Sequence, residues 1–160
     1  MSVSLIHLLL FILTANGAPI IARNLLQSRY DYPLDFTIKL GNQDLFGPSK
    51  TWRGLIAAIV FTALVAFVLG YTLVLGAVIA VAAMTGDVLS SFIKRRLQLK
   101  PSSMAPFLDQ IPEVLLPALV VREQFGLDAS SVMLVVCGFV LLELVLSQIL
   151  YRFGIRKTPY

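Results

Sequence analysis

Residues 71–96 read YTLVLGAVIAVAAMTGDVLSSFIKRR, an apolar run that ends in three consecutive cations. Its apolar part, from 71 to about 92, is long enough to cross a bilayer, since a spanning helix needs roughly 20 residues. Gly76, Ala80 and Ala83 recur at three- and four-residue spacing. Small residues at this spacing let helix backbones approach closely in lipid. We therefore predict a membrane-spanning helix that packs tightly against a neighbour.

The composition of the chain extends this prediction to the whole molecule. Hydrophobic residues make up 58% of the 160 residues, and the mean hydropathy is +0.84. A soluble domain has roughly 45–50% apolar residues, so a soluble fold is excluded. Four further apolar stretches lie at about 3–22, 54–69, 107–121 and 131–151. We predict an all-α integral membrane protein, one domain over 1–160, with five transmembrane helices.

Lys and Arg residues predict the orientation in the membrane. Twelve of the 13 lie after the first span, after the third span or in the C-terminal tail, and only Arg122 lies elsewhere. Cytoplasmic loops carry such an excess of cations. The N-terminus is therefore expected outside and the C-terminus in the cytoplasm of a cell-membrane protein. No Lys or Arg precedes Arg23, so the first apolar stretch is expected to be a retained span rather than a signal peptide.

The net charge of +4 points to anionic headgroups or an anionic substrate rather than to nucleic acid. Asp87, Ser91, Lys94 and Arg95 share one face at the cytoplasmic end of the third span. Carboxylates without His or Cys suit Mg²⁺, and cations beside Mg²⁺ suit a polyphosphate. The alternative is that the cations are only an orientation signal and the acids form structural ion pairs.

Three further features carry polar groups near the predicted cytoplasmic face. Asp109 and Glu113 lie four residues apart at the start of the fourth span and share a face. Lys50, Thr51 and Arg53 precede the second span, in a segment without P-loop spacing. Asn16 lies near the inner end of the first span, at a kink or an ordinary helix end. For Trp52 an interfacial anchor is favoured, and for Glu143 a packing role.

The stretch 86–109 resembles the signature of the phosphatidate cytidylyltransferase superfamily. The matching residues are Gly86, Asp87, Ser91, Lys94, Arg95, Lys100 and Asp109. The His-Gly-Gly and the second Asp of the bacterial enzymes are missing, and Glu113 falls one position late. These departures, the short chain and the segments 16–19, 45–54 and 156–160 resemble the short branch of the superfamily, the CDP-archaeol synthases.

This resemblance implies a reaction in which CTP and unsaturated archaetidic acid, a lipid phosphate, give CDP-archaeol and pyrophosphate with Mg²⁺ on the cytoplasmic side. It assigns Asp87 and Asp109 to the metal, assisted by Glu113. The implied catalytic residues are Asp87, Asp109, Lys94 and Lys50, and the implied substrate-binding residues are Arg53, Ser91, Arg95, Lys100, Asn16 and Thr51. A homodimer is compatible with this resemblance. A small transporter or ion-conducting protein is the alternative, since intramembrane acids and broken helices also fit an ion path.

Overall fold

The computed structural model describes residues 3–99, 105 and 107–153, and within them the chain forms five α-helices and one short hairpin. Thr51, Thr72 and Asp128 cap the starts of the second, third and fifth helices through their side-chain oxygens. The elements are α1 Val3–Leu26, β1 Lys39–Leu40, β2 Gln43–Asp44, α2 Trp52–Val68, α3 Leu73–Arg96, α4 Gln110–Val120 and α5 Ala129–Arg152.

Three of these helices, α1, α3 and α5, are long and apolar enough to cross a membrane. The 17-residue α2 and the 11-residue α4 are shorter. At 1.5 Å per residue α4 is about 16 Å long, roughly half of the hydrocarbon core. The predicted fourth span therefore begins late, because residues 107–109 form turns. The all-helical fold is confirmed, while five full spans and the sides of the termini remain predictions.

Consecutive helices run in opposite directions, and α1 and α5 run in the same direction. A tight turn at Gly70, whose φ of +84° favours glycine, connects α2 to α3. These directions follow from the pairs His7–Tyr71 and Pro19–Gly54 between the first two helices, Gly86–Pro112 and Lys94–Asp109 between α3 and α4, and Leu9–Gly138 and Asn16–Glu143 between α1 and α5.

The small-residue stripe of α3 is confirmed as a packing surface. A Cβ at Gly76 would lie 2.7 Å from the Cα of Ala63, so α2 and α3 approach with almost no space between their backbones. Ala80 and Ala83 are fully buried against Ala15 of α1. Small side chains thus hold α3 between α1 and α2, as the spacing predicts.

The apolar core lies between α1, α3, α4 and α5, where Leu8, Phe11, Ile79 and Phe139 have no exposed surface. The outer faces of the helices are also apolar, with exposed Ile56, Val60 and Leu64 along α2. Such a surface suits lipid rather than water. The polar side chains gather instead at the end of the bundle formed by the C-terminal half of α3, the start of α4 and the α1–α2 loop.

Candidate active site

The site begins with a close approach between α3 and α4 at Gly86. A Cβ at this position would overlap the carbonyl oxygen of Pro112 and lie 2.7 Å from the backbone nitrogen of Glu113. Only glycine therefore lets the two helices meet here. The contact places Asp87, the next residue of α3, beside the first turn of α4.

Lys50 and Asp87 form the first of two partly buried ion pairs. The Lys50 ammonium donates to both carboxylate oxygens of Asp87 at 2.5 Å, and Glu113 forms a hydrogen bond with the same carboxyl group. Burial by itself would lower the pKa of Lys50, but the charges of Asp87, Glu113 and Asp109 raise it above its usual value. Lys50 therefore stays charged at the centre of three acids.

Lys94 and Asp109 form the second pair, which joins the last turn of α3 to the start of α4. Their Nζ and Oδ1 atoms are 2.7 Å apart. The other carboxylate oxygen of Asp109 accepts a hydrogen bond of 3.0 Å from the backbone of Ala105. Asp109 thus serves both as the partner of Lys94 and as a brace for the chain that enters α4.

Asp35, which carried no role in the sequence analysis, organises the α1–α2 loop. It is 3% exposed and accepts backbone hydrogen bonds from Thr37, Phe46 and Gly47 at 2.9–3.0 Å. Gly47 adopts a φ of +93°, and the backbone N–H of Lys50 donates to the carbonyl oxygen of Gly47 at 3.3 Å. Asp35 therefore fixes the turn from which Lys50 reaches Asp87.

Sequence signals for Asp35 are only partly local. Asp commonly bonds the backbone two residues ahead, which accounts for its bond to Thr37. The bonds to Phe46 and Gly47 span 11 and 12 residues and have no signature in the sequence. The hydrogen bonds lower the pKa of Asp35 although burial alone would raise it.

We expect Asp35→Ala to loosen this turn, because three backbone donors lose a charged acceptor. Since the folded pKa of Asp35 lies below its usual 3.8, the ordering is fully present above that value and is lost as the pH falls through the lowered pKa. Amide hydrogen exchange of residues 37–47 measures the change. Asp44→Ala on the same loop is the control, and equal exchange in both variants would contradict the assignment.

Two predicted substrate-binding residues hold the loop in place. Arg53 donates to the carbonyl oxygens of Gln27 and Arg29 at 2.8 and 2.6 Å, and to Asp31 at 2.8 Å. The Thr51 hydroxyl accepts the Gly54 N–H at 3.2 Å as the cap of α2. Their hydrogen bonds therefore go to the loop and to a helix start rather than to the two ion pairs.

The remaining predicted residues are divided between three places. Ser91 and Arg95 are buried on α3, and Arg95 lies under the Gly47 turn. Asn16 lines a cavity between α1 and α5. Lys100 lies outside the described residues.

Arg96 donates to the carbonyl oxygens of Leu40 and Asp44 at 2.9 and 2.7 Å and so ties the hairpin to α3.

The three predicted metal-binding carboxylates lie around Lys50, and the structure divides them between two contacts. Among the described residues, no three His, Cys, Asp or Glu side chains are placed to hold one ion. Asp87 and Glu113 are in direct contact, whereas Asp109 pairs with Lys94. Mg²⁺ usually takes one or two carboxylates and fills its shell with water and substrate phosphates. The adjacent oxygens of Asp87 and Glu113 fit that requirement.

Comparisons with known proteins identify relatives of this chain. Residues 69–160 match the family model described as CarS-like CDP-archaeol synthase. A CDP-archaeol synthase of Sulfolobus acidocaldarius is 33% identical over 136 residues, which cover 80% of this chain and 83% of the relative. The enzyme of Thermofilum pendens is 29% identical over 154 residues, covering 91% and 75%.

A solved structure has a similar fold. It belongs to an intramembrane enzyme for archaeal membrane lipid biosynthesis, with a TM-score of 0.73 and 30% sequence identity. The match covers 88% of this chain and 90% of the other. Together with the three long apolar helices, it supports a membrane protein. The transporter alternative has no support from these relatives.

Proposed function

Because the chain belongs to the CDP-archaeol synthase family, we propose that it transfers CMP from CTP to unsaturated archaetidic acid, a lipid phosphate, and releases pyrophosphate. Membership makes it a CTP-dependent cytidylyltransferase that forms a CDP-activated lipid. The observation that supports the particular site is two partly buried Lys–Asp pairs: Lys50–Asp87 joins the α1–α2 loop to α3, and Lys94–Asp109 joins α3 to the start of α4. Such a site has both carboxylates for a metal and cations for phosphates.

The proposed reaction needs no enzyme nucleophile. An anionic oxygen of the lipid phosphate attacks the α-phosphorus of CTP, the bond to the β-phosphate breaks, and its electrons leave with pyrophosphate. The attacking oxygen is already deprotonated at neutral pH, so a general base is unnecessary. The sole histidine, His7, is hydrogen-bonded to Tyr71 at the other end of the bundle. Catalysis then rests on positioning and on neutralising charge.

Each of the predicted site residues on α3, on α4 and in the α1–α2 loop has a proposed role. Asp87 and Glu113 hold Mg²⁺, which when bound neutralises charge on the phosphate oxygens. Asp109 orients Lys94, the ligand of the triphosphate together with Arg95 and Lys100. Lys50 is the group that neutralises the lipid phosphate. Ser91, Thr51 and Arg53 line or brace the substrate-binding side.

The proposed location of the site is the cytoplasmic face of the cell membrane. The supporting observation is the distribution of cations: of the ten Lys and Arg residues that the structure describes, all but Arg122 lie in segments that the alternating helices bring to one side. CTP then approaches from water, while the lipid reaches the same end from the membrane. A single domain over 1–160 accommodates both substrates, and a homodimer is not needed for the chemistry.

Pyrophosphate release by the purified protein tests the function directly. The protein is given CTP and Mg²⁺ with unsaturated archaetidic acid, with a diacyl phosphatidate or with no lipid. Release that requires archaetidic acid is the expected result. Release with the diacyl lipid alone would change the substrate, and no release with any lipid would overturn the proposal.

Lys94→Met should weaken CTP binding by about tenfold or more, which corresponds to about 1.4 kcal/mol. The reason is that Lys94 is buried, and methionine leaves no positive charge there to attract the triphosphate. Isothermal titration in detergent with Mg²⁺ measures it. The control is Lys39→Met on the exposed hairpin, which removes the same charge. Equal affinity of both variants would place the triphosphate elsewhere.

A further inference from the structure

A small cavity lies between α1 and α5, outside the α3–α4 junction. Its volume is about 50 Å³, which leaves room for a few water-sized groups, since each needs about 10–15 Å³. Its walls are mostly apolar, with a few polar side chains among them. The lining residues used below are Asn16, Ile20, Phe139, Glu143, Leu146 and Ser147.

The fold leaves the hydrogen-bonding atoms of Asn16 unsatisfied in this cavity. Both its amide nitrogen and its amide oxygen are buried, and neither has a hydrogen-bond partner among the residues that the structure describes. Each unmet buried donor or acceptor costs about 1–3 kcal/mol. In a helix surrounded by lipid, water does not offset this cost. An amide placed here therefore points to a ligand with polar atoms.

The cavity is reached from the lipid side of the bundle. Leu146, one of its walls, is 43% exposed. The apolar window of α5 is only 11% buried, against 44% for α1 and α3. Most of the exposed side chains of α5 are apolar, among them Leu141, Leu142 and Val145, and such a surface suits lipid rather than water. A lipid molecule can thus reach Asn16 sideways from the bilayer.

The cavity also adjoins the acids of the junction. Glu143 is close enough to Glu113 for the two carboxyl groups to interact electrostatically, and Glu113 bonds Asp87. Ala15, the neighbour of Asn16, packs with Ala83, one helical turn before Asp87. Asn16 therefore lies about one turn deeper in the apolar part of the bundle than Asp87.

We propose that this cavity binds the glycerol backbone of the lipid phosphate, with the Asn16 amide donating to an ether or ester oxygen of the glycerol. This inference rests on the proposed function. A membrane lipid carries its phosphate at the surface and its glycerol linkage deeper, in the order in which Asp87 and Asn16 are placed. The tails continue past Leu146 into the bilayer. The cavity thus selects glycerol-based lipid phosphates over those without glycerol.

Asn16→Leu, which keeps the volume of the side chain but removes the amide, tests the proposal. We expect about a tenfold rise in KM for the glycerol lipid phosphate, with KM for CTP unchanged. Geranylgeranyl phosphate has a phosphate and a tail but no glycerol. Its inhibition constant against the glycerol lipid should be nearly the same in Asn16→Leu and wild type, so the preference for glycerol falls about tenfold.

Thr14→Val is the matched control, because it also removes one polar group from α1. The Thr14 hydroxyl bonds the Leu10 carbonyl of its own helix and does not line the cavity, so KM for the lipid should stay unchanged. Intact CTP binding shows that Asn16→Leu is folded. An unchanged lipid KM and glycerol preference in Asn16→Leu would overturn the inference and leave a water-filled cavity. Absence of turnover by the wild type with every lipid would instead overturn the proposed function.

Discussion

Asp87→Asn should reduce the formation of CDP-lipid at least about a thousandfold, or about 4 kcal/mol of transition-state stabilisation. The substitution keeps the shape of the side chain but removes the charge that holds Lys50 at 2.5 Å and that we assign to Mg²⁺. Initial rates of pyrophosphate release measure the loss. Glu123→Gln, an exposed acid in the α4–α5 connection, is the control and should retain wild-type rates.

A double variant separates catalysis from a purely structural ion pair. Asp87→Asn alone leaves the buried ammonium of Lys50 without its principal partner, which itself costs stability. In Lys50→Met/Asp87→Asn the uncompensated charge is gone, so thermal stability in detergent should return toward that of the wild type. The rate should stay at the level of Asp87→Asn. Recovery of the rate together with the stability would show that the pair is only structural.

Gly86→Ala should have the second largest effect. It should lower the thermal stability of the protein and reduce the turnover rate by about a hundredfold or more. The added Cβ meets the backbone of Pro112 and Glu113, so α4 has to move away from α3. Such a shift separates Asp87 from Glu113 and Lys94 from Asp109 at the same time. A displacement of about 1 Å at a reacting centre costs about a hundredfold in rate.

Gly138→Ala provides the matched comparison for this substitution. Its Cβ would lie 3.5 Å from Leu9 Cδ1, an ordinary contact. In an open helical position Gly→Ala stabilises by about 0.5–1 kcal/mol. Thermal unfolding in detergent and the turnover number are measured for both variants. A Gly86→Ala protein as active and stable as Gly138→Ala would contradict the close approach that positions the site.

The helices themselves were predictable because their signal is local. All five apolar stretches begin and end within four residues of the observed helices, and the stripe of Gly76, Ala80 and Ala83 is a packing surface. Exclusion of water from lipid forces each apolar stretch to satisfy its own backbone as a helix. The stretch at 107–121 was predicted too long, since chain turns at 107–109 replace its first residues.

The site was predictable only in part, because only some of its contacts are local in the sequence. The face shared by Asp87, Ser91, Lys94 and Arg95 follows from helical periodicity, because all four residues lie on one helix. Arg53 and Thr51 carry groups suited to phosphate, yet their hydrogen bonds hold the loop and the start of α2. A donor in the sequence does not reveal which acceptor the fold will bring to it.

Local patterns in the amino-acid sequence thus predict a helical membrane protein, its cluster of acids and cations, and the resemblance to its family. Helix packing is what brings Lys50 to Asp87, lets Asp35 hold the turn behind it and places Asn16 at a cavity beside α5. Lys50 and Asp87 are 37 positions apart, and Asp35 and Gly47 are 12 apart. The spacing of small residues predicts that α3 packs closely against another helix, but it does not specify which backbone meets Gly86.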